Sequence, residues 1–208
     1  DFYSIGVNYH GCDGGIGSNC NWSFKASDQY DSGDRAGEYY AQWGYRFARS
    51  AQLTISHSVK ADNPFQIAFI GNATGLIDAT TTNDLYVGGR LNNPGGSTVL
   101  TAAGEVGNAG SPFAASLAPG GTLSVLSGSA GVNLDIGSDV IIKQVDAGNG
   151  SGDVVISASG NLLGSSVVAA TTPHVRGRNI TLSSVAGGIG ESGKALRVHG
   201  KEVATANG

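Results

Sequence analysis

The sequence predicts an all-β fold of stacked parallel coils, a β-solenoid, and three observations carry that prediction. Eleven of the fifteen aromatic residues fall in the first fifty positions, so the rest of the 208-residue chain has few large rings with which to fill one globular core. That remainder consists of glycine-punctuated runs of Val, Ile, Leu, Ser and Thr, side chains small enough to fill a thin layer stacked on others like it. Phrases also recur: GSDVIIKQV at 137–145 against SGDVVISAS at 151–159, and STVLTAAGEVG at 97–107 against NITLSSVAGGIG at 179–190. Their spacing is irregular, as expected for coils whose corners accept insertions while their stacked faces do not. A two-sheet sandwich is the competing all-β architecture.

Composition sets the class of partner. A hydrophobic content of 40% is enough for an ordered interior of one or two domains. Only 13% of residues are charged, against about 25% in an average protein, and polarity comes instead from Ser, Thr and Asn. With net charge -4 and no long run of Lys or Arg, the chain is not built for a phosphate backbone or an anionic membrane, which argues against nucleic acid. No stretch reaches the roughly 18 apolar residues that a membrane span needs. The start, DFYSIGVNYHG, lacks the basic and apolar regions of a secretory signal, and the chain contains no Met, so it reads as an internal segment of a longer protein.

Residues 1–50 form the first unit, an aromatic-rich strand-and-loop module. Cys12 and Cys20 bracket CDGGIGSNC, whose Gly and Asn residues let the backbone turn back on itself. A disulfide across this loop is the expected chemistry and would place the chain in an oxidising compartment; two free thiols are the alternative. Zinc would need further ligands, which His10 alone does not supply. In EYYAQWGYRF, at 38–47, Tyr39, Ala41, Trp43, Tyr45 and Phe47 occupy every second position, the pattern of a strand with one buried face. A helix through Tyr40, Trp43 and Phe47 is interrupted by Gly44. Trp22, Tyr30, Tyr39, Tyr40, Trp43 and Tyr45 are the candidate ligand-binding residues, because flat rings with a polar edge stack on sugars. The same rings would equally serve as the small core of the module or as an apolar cap on the solenoid.

No cofactor is expected, and calcium is the alternative left open. GGIGSN at 14–19 resembles a single calcium-binding glycine-rich repeat, but such sites are shared between tandem turns. Asp28, Asp31, Asp34 and Glu38 gather oxygens at a spacing that matches no standard loop, and they read as solvated surface.

From residue 51 onward short strand-like runs follow one another: AQLTISHSV, FQIAFIG, GLIDA, DLYVGGRL, STVLTAAG, TLSVLSG, VNLDIG, DVIIKQV, DVVISASG, NITLSSVAG and ALRVHG. Each is bounded by turn-forming residues. At roughly 20 to 25 residues per coil, residues 51–208 make about six to eight coils with strands about 4.8 Å apart.

Here the residues carry a resemblance. ISHSVKADNPFQIAFIG, LYVGGRLNNPGGSTVLTAAGEVG and RGRNITLSSVAGGIGESGKALRVHG resemble the repeat phrases of large filamentous-haemagglutinin-like adhesins of Gram-negative bacteria. The resemblance covers roughly residues 51–200 and leaves out the first fifty. It implies a right-handed parallel β-helix, export to the bacterial cell surface, and a host or neighbouring-cell receptor or glycan as partner. This chain would then be one non-catalytic stretch of a long parent filament. The Asn-Pro motifs of that family's export domain are missing; NNPGG at 92–96 sits in a repeat context.

Sharper motifs yield to plainer readings. GIGESG at 188–193 satisfies the dinucleotide fingerprint, and GIGESGKA nearly satisfies the phosphate-binding loop, but both chemistries need a helix directly after the glycines, and KALRVHG is strand-like. A glycine corner between coils is the expectation. A β-helical polysaccharide-active enzyme would need carboxylates converging on one flank. Asp135 and Asp139, with Arg176 and Arg178 nearby, are the nearest approach to such a set, and no spacing forces it. His57, His174 and His199 read as isolated surface or corner residues without a nucleophile motif. Four N-x-S/T triplets, at Asn21, Asn72, Asn149 and Asn179, carry no assigned role.

Overall fold

The computed structural model describes residues 76–81, 84–87, 90–118, 120–128 and 130–207 in full. Four earlier strands are described by backbone pairing alone: β1 (Phe2–Tyr9), β2 (Ser23–Ala26), β3 (Ala51–Ser58) and β4 (Phe65–Ile67). The fully described strands are β5 (Leu76–Thr81), β6 (Leu85–Val87), β7 (Leu91–Asn92), β8 (Ser97–Ala102), β9 (Phe113–Ser116), β10 (Thr122–Ser127), β11 (Val132–Ile136), β12 (Val140–Ala147), β13 (Val154–Ala158), β14 (Leu162–Gly164), β15 (Val175–Arg176), β16 (Asn179–Ser184), β17 (Val198–His199) and β18 (Glu202–Asn207). Among the described residues the one helical element is a single 3-10 turn at Gly148–Gly150.

The strands wind into a parallel β-solenoid of about six turns. One sheet runs in the order β17-β15-β12-β10-β8-β5-β3-β1-β2, with β14 also pairing β12; a second runs β18-β16-β13-β11-β9-β7; β4 pairs β6. Every pairing among β3 to β18 is parallel, which rules out the sandwich for this part of the chain. The antiparallel pairings are confined to β1, which runs along β3 from Phe2 opposite Ser58 to Tyr9 opposite Ala51, and to β2 beyond it.

Alternation along each strand explains why these residues form a stack. In β8 and β10 every second side chain is buried, and the register places like on like from coil to coil. Ala79, Leu100, Val125, Val145 and Val175 form one interior column, and Phe113, Leu134, Ile156 and Leu182 form another on the opposite sheet. Each of these side chains is at most 1% exposed. A third column, Thr81, Ala102, Ser127 and Ala147, holds only small residues, where each coil leaves the first sheet.

Coil length follows from the same register. Inter-coil hydrogen bonds at successive corners join residues 21, 22 and 26 apart, close to the predicted range. The coil between Val145 and its partner Val175 is longer, because residues 165–173 leave the stack between β14 and β15.

Candidate functional site

The polar groups of the solenoid concentrate at its corners, and each cluster can be built from local sequence. The commonest device is an Asp placed just before a strand. Asp84 Oδ1 accepts the backbone N–H of Glu105 at 2.7 Å, Asp139 Oδ1 that of Asn161 at 2.6 Å, and Asp153 Oδ1 that of Asn179 at 3.3 Å. Each carboxylate thus reaches one coil onward and satisfies a corner N–H that no strand pairs. Asn161 then repeats the move, its Oδ1 accepting Gly188 N–H at 2.8 Å, so one corner links three coils.

Two glycines make room for this staple. A Cβ on Gly104 would lie 1.9 Å from Asp84 Oδ1, and one on Gly160 would lie 2.0 Å from Asp139 Oδ1. At the third corner the equivalent residue is Arg178, which embraces Asp153 instead: Nε donates to Oδ1 at 2.9 Å and Nη2 to Oδ2 at 3.0 Å. The guanidinium, helped by the Asn179 N–H groups, holds the Asp153 carboxyl below its ordinary range against a smaller opposing effect of burial.

Three further clusters tie non-adjacent segments. Arg90 donates to Asp135 Oδ2 at 2.6 Å and to the carbonyls of Ala115 and Asp135, bridging three coils beside Gly137. Tyr86 O–H donates to Glu105 Oε1, and Asn108 Nδ2 donates to both, at 3.0 and 2.9 Å. Burial and the adjacent Glu105 push the Tyr86 phenol up to about 12, so at neutral pH it is a donor. Asn108 Oδ1 meanwhile accepts Gly110 and Ser111 N–H, pinning the excursion before β9. The last cluster surrounds His174, which is fully buried. Its Nδ1 accepts Arg197 N–H at 3.0 Å and its Nε2 faces the Ser165 carbonyl at 3.0 Å.

These positions settle several sequence readings. Asp135 and Asp139 serve different partners, and Arg176 and Arg178 stand with Asp146 and Asp153 rather than with them. The surface reading of His174 is corrected: the imidazole fills the space left by Gly164, whose Cβ would meet its Cε1 at 2.6 Å. His199 is exposed as expected. GIGESG is a glycine corner: Ile189 bridges to Leu162, Gly190 and Gly193 take φ of 75° and 79°, and Lys194 N–H closes a turn onto Glu191. No group of three metal-ligating side chains exists among the described residues. Among them, too, no helix is long and apolar enough to cross a membrane.

Cys12, Cys20, Trp22, Tyr30, Tyr39, Tyr40, Trp43 and Tyr45 lie outside the described residues, as do Asp28, Asp31, Asp34 and Glu38. Sequence reasoning missed the Tyr86 and Arg90 clusters because their members are separated by one or two coils. One signal was present: the Gly-Ser-Asp opening at 137–139 and the Ser-Gly-Asp opening at 151–153 are the staple-bearing corners. Comparison with protein-family models, with curated proteins and with solved structures finds no match to this chain.

Proposed function

We propose that this chain is a structural and display segment of a secreted bacterial surface adhesin, a non-catalytic part of a filamentous-haemagglutinin-like filament. The observation that carries the reading is continuity of the stack. Interior columns run unbroken through successive coils, and the corner carboxylates are engaged in holding one coil to the next. A rod of this kind converts chain length into reach, which is what a surface spacer requires. The reading carries with it the right-handed coil sense, a Cys12–Cys20 disulfide closing the amino-terminal module, and an extracellular location.

The aromatic concentration of residues 1–50 favours one elaboration, in which Trp22, Tyr30, Tyr39, Tyr40, Trp43 and Tyr45 contact a receptor or glycan on a host or neighbouring cell. Two experiments test these statements. Antibody against the chain labels intact cells of the source bacterium, and external protease removes the label; a signal obtained only after lysis overturns the surface assignment. A glycan array probed with the wild type and with Trp43→Ala tests the contact role. Specific binding lost in the variant supports it, whereas an unchanged signal or none removes residues 1–50 as the binding surface.

A further inference from the structure

The excursion at residues 165–173 leaves the stack between β14 and β15, and its attachments converge on two side chains of different coils. Val167 at its tip is 79% exposed. The segment returns to the solenoid at His174, whose carbonyl accepts Val145 N–H at 2.7 Å and whose backbone N–H donates to the Arg197 carbonyl at 2.8 Å. From the following coil Arg197 reaches over it: Nε donates to the Thr172 carbonyl at 2.9 Å, and Nη2 to those of Val168 and Ala169 at 3.1 and 3.0 Å. Beneath the guanidinium, the His174 ring joins Ser165 at one end of the excursion to Arg197 in the next coil.

The hydrogen bonds fix the tautomer. Nδ1 accepts a backbone N–H, so it carries no proton, and the proton on Nε2 is donated to the Ser165 carbonyl. Arg197 Nη2 stands 3.2 Å from that same Nε2; both groups are donors, so this close approach is not a hydrogen bond. A second proton has one place to go, Nδ1, where it would point at the Arg197 N–H and break that bond.

We infer that His174 and Arg197 form an acid-sensitive latch, in which the neutral imidazole holds residues 165–173 against the next coil and protonation frees them. Among the described residues no carboxylate shifts the ring. The excursion itself contains no ionisable residue from Leu162 to Pro173. The segment before β17 brings Arg197 and the Glu191–Lys194 pair, whose charges meet each other at 3.1 Å. β12 brings Asp146, which faces Arg176 at 3.9 Å, and β15 brings Arg176 itself. Burial, the largest influence, pushes the imidazole below its ordinary value; the Ser165 carbonyl opposes it, and the Arg197 charge adds a smaller push in the same direction as burial. A depressed histidine contributes its stability above the ordinary range near pH ~6.5 and loses it as pH falls toward the folded value. The latch is therefore closed at neutral pH and weakened in acid.

The test uses the whole chain and reads the latch at atomic level. A proton NMR titration follows the ring signals of His174 from pH 8 to 4, and amide exchange gives protection factors, corrected for intrinsic rate, at Arg197 and Gly164. His174 is expected to titrate below the ordinary imidazole value near pH ~6.5, and Arg197 protection to fall between pH 7.5 and 4.5, by up to about tenfold for each pH unit between that ordinary value and the depressed folded one. His174→Asn keeps an acceptor and cannot titrate, so its Arg197 protection should not respond to pH. If that variant does not fold, the wild-type titration decides alone. A His174 signal titrating at or above the ordinary imidazole value near pH ~6.5, or Arg197 protection equal at the two pH values, overturns the latch.

Discussion

Adding one methyl group at Gly160 tests whether the corner staple explains the glycine. The backbone there is not left-handed, so alanine meets no conformational penalty; its Cβ instead lands 2.0 Å from Asp139 Oδ1 and 2.9 Å from Asp139 N. To make room the carboxylate must swing away and give up the Asn161 N–H bond of 2.6 Å. A hydrogen bond to a charged group contributes about 1.5–3 kcal/mol, and exposure places this one at or below the low end. Residual crowding against Asp139 N adds about 1 kcal/mol, and the stiffer unfolded chain returns about 0.5 kcal/mol. Gly160→Ala should therefore destabilise by about 2 kcal/mol. Asp139→Ala alone loses the bond but leaves Asn161 N–H accessible to water, at a cost of about 1 kcal/mol. In the double variant the carboxylate is gone before the methyl arrives. It keeps the crowding against the backbone N of residue 139 and should lose about 1.5 kcal/mol, where additivity requires about 3 kcal/mol. Urea unfolding of the wild type and the three variants at pH 7, with unchanged m-values, gives the cycle. Additivity within about 0.5 kcal/mol would refute the claim that this glycine exists to admit Asp139.

The remaining predictions concern the core and the pH profile. Leu134→Ala, in the middle of an interior column and 1% exposed, should cost about 3 kcal/mol in the same assay, whereas Val155→Ala, facing outward at 37% exposure on the next coil, should stay within about 0.5 kcal/mol. Because Arg178 holds the Asp153 carboxyl low, that pair stabilises above the ordinary carboxylate range and is lost as pH falls through the depressed value. Arg178→Ala should therefore flatten the acid limb of a stability-against-pH curve. Tyr86, pushed up to about 12, favours the neutral phenol, so its contribution is complete below pH ~10 and declines as pH rises toward the folded value. An ultraviolet phenolate titration should lose a late-titrating component in Tyr86→Phe, and Glu105→Gln should bring that component down only part of the way, because burial is the larger cause.

The stack itself was legible in the sequence because one layer dictates the next. Alternation in TLSVLS and VNLDI identifies the faces, and the recurrence of such runs between glycines identifies the architecture. Three of the strands that escaped notice fail that pattern for local reasons. β9 is FAAS, with two alanines and no β-branched residue; β15 has two residues; β14 is buried at all three positions and does not alternate. DLYVGGRL divides into β6 and β7, separated where its two glycines stand. Side-chain partnerships were less visible. Arg90 and Asp135 are 45 residues apart, and a pairing rule that spans two coils of unequal length has no fixed offset to search for. His174 looked solitary in sequence, since its partners are backbone groups of Ser165 and Arg197.

The direction of the inter-coil bonds has a mechanical consequence. They lie along the rod while the backbone runs across it, so a pull from tip to base loads each rung end-on and opens the stack one layer at a time. A layer of 21 to 26 residues adds only about 4.8 Å while wound, but about 70 to 90 Å of contour once released. Tension is thus met by paying out line in steps, with the Asp139–Asn161–Gly188 corner acting as a stop that must be broken before the coils it joins can separate.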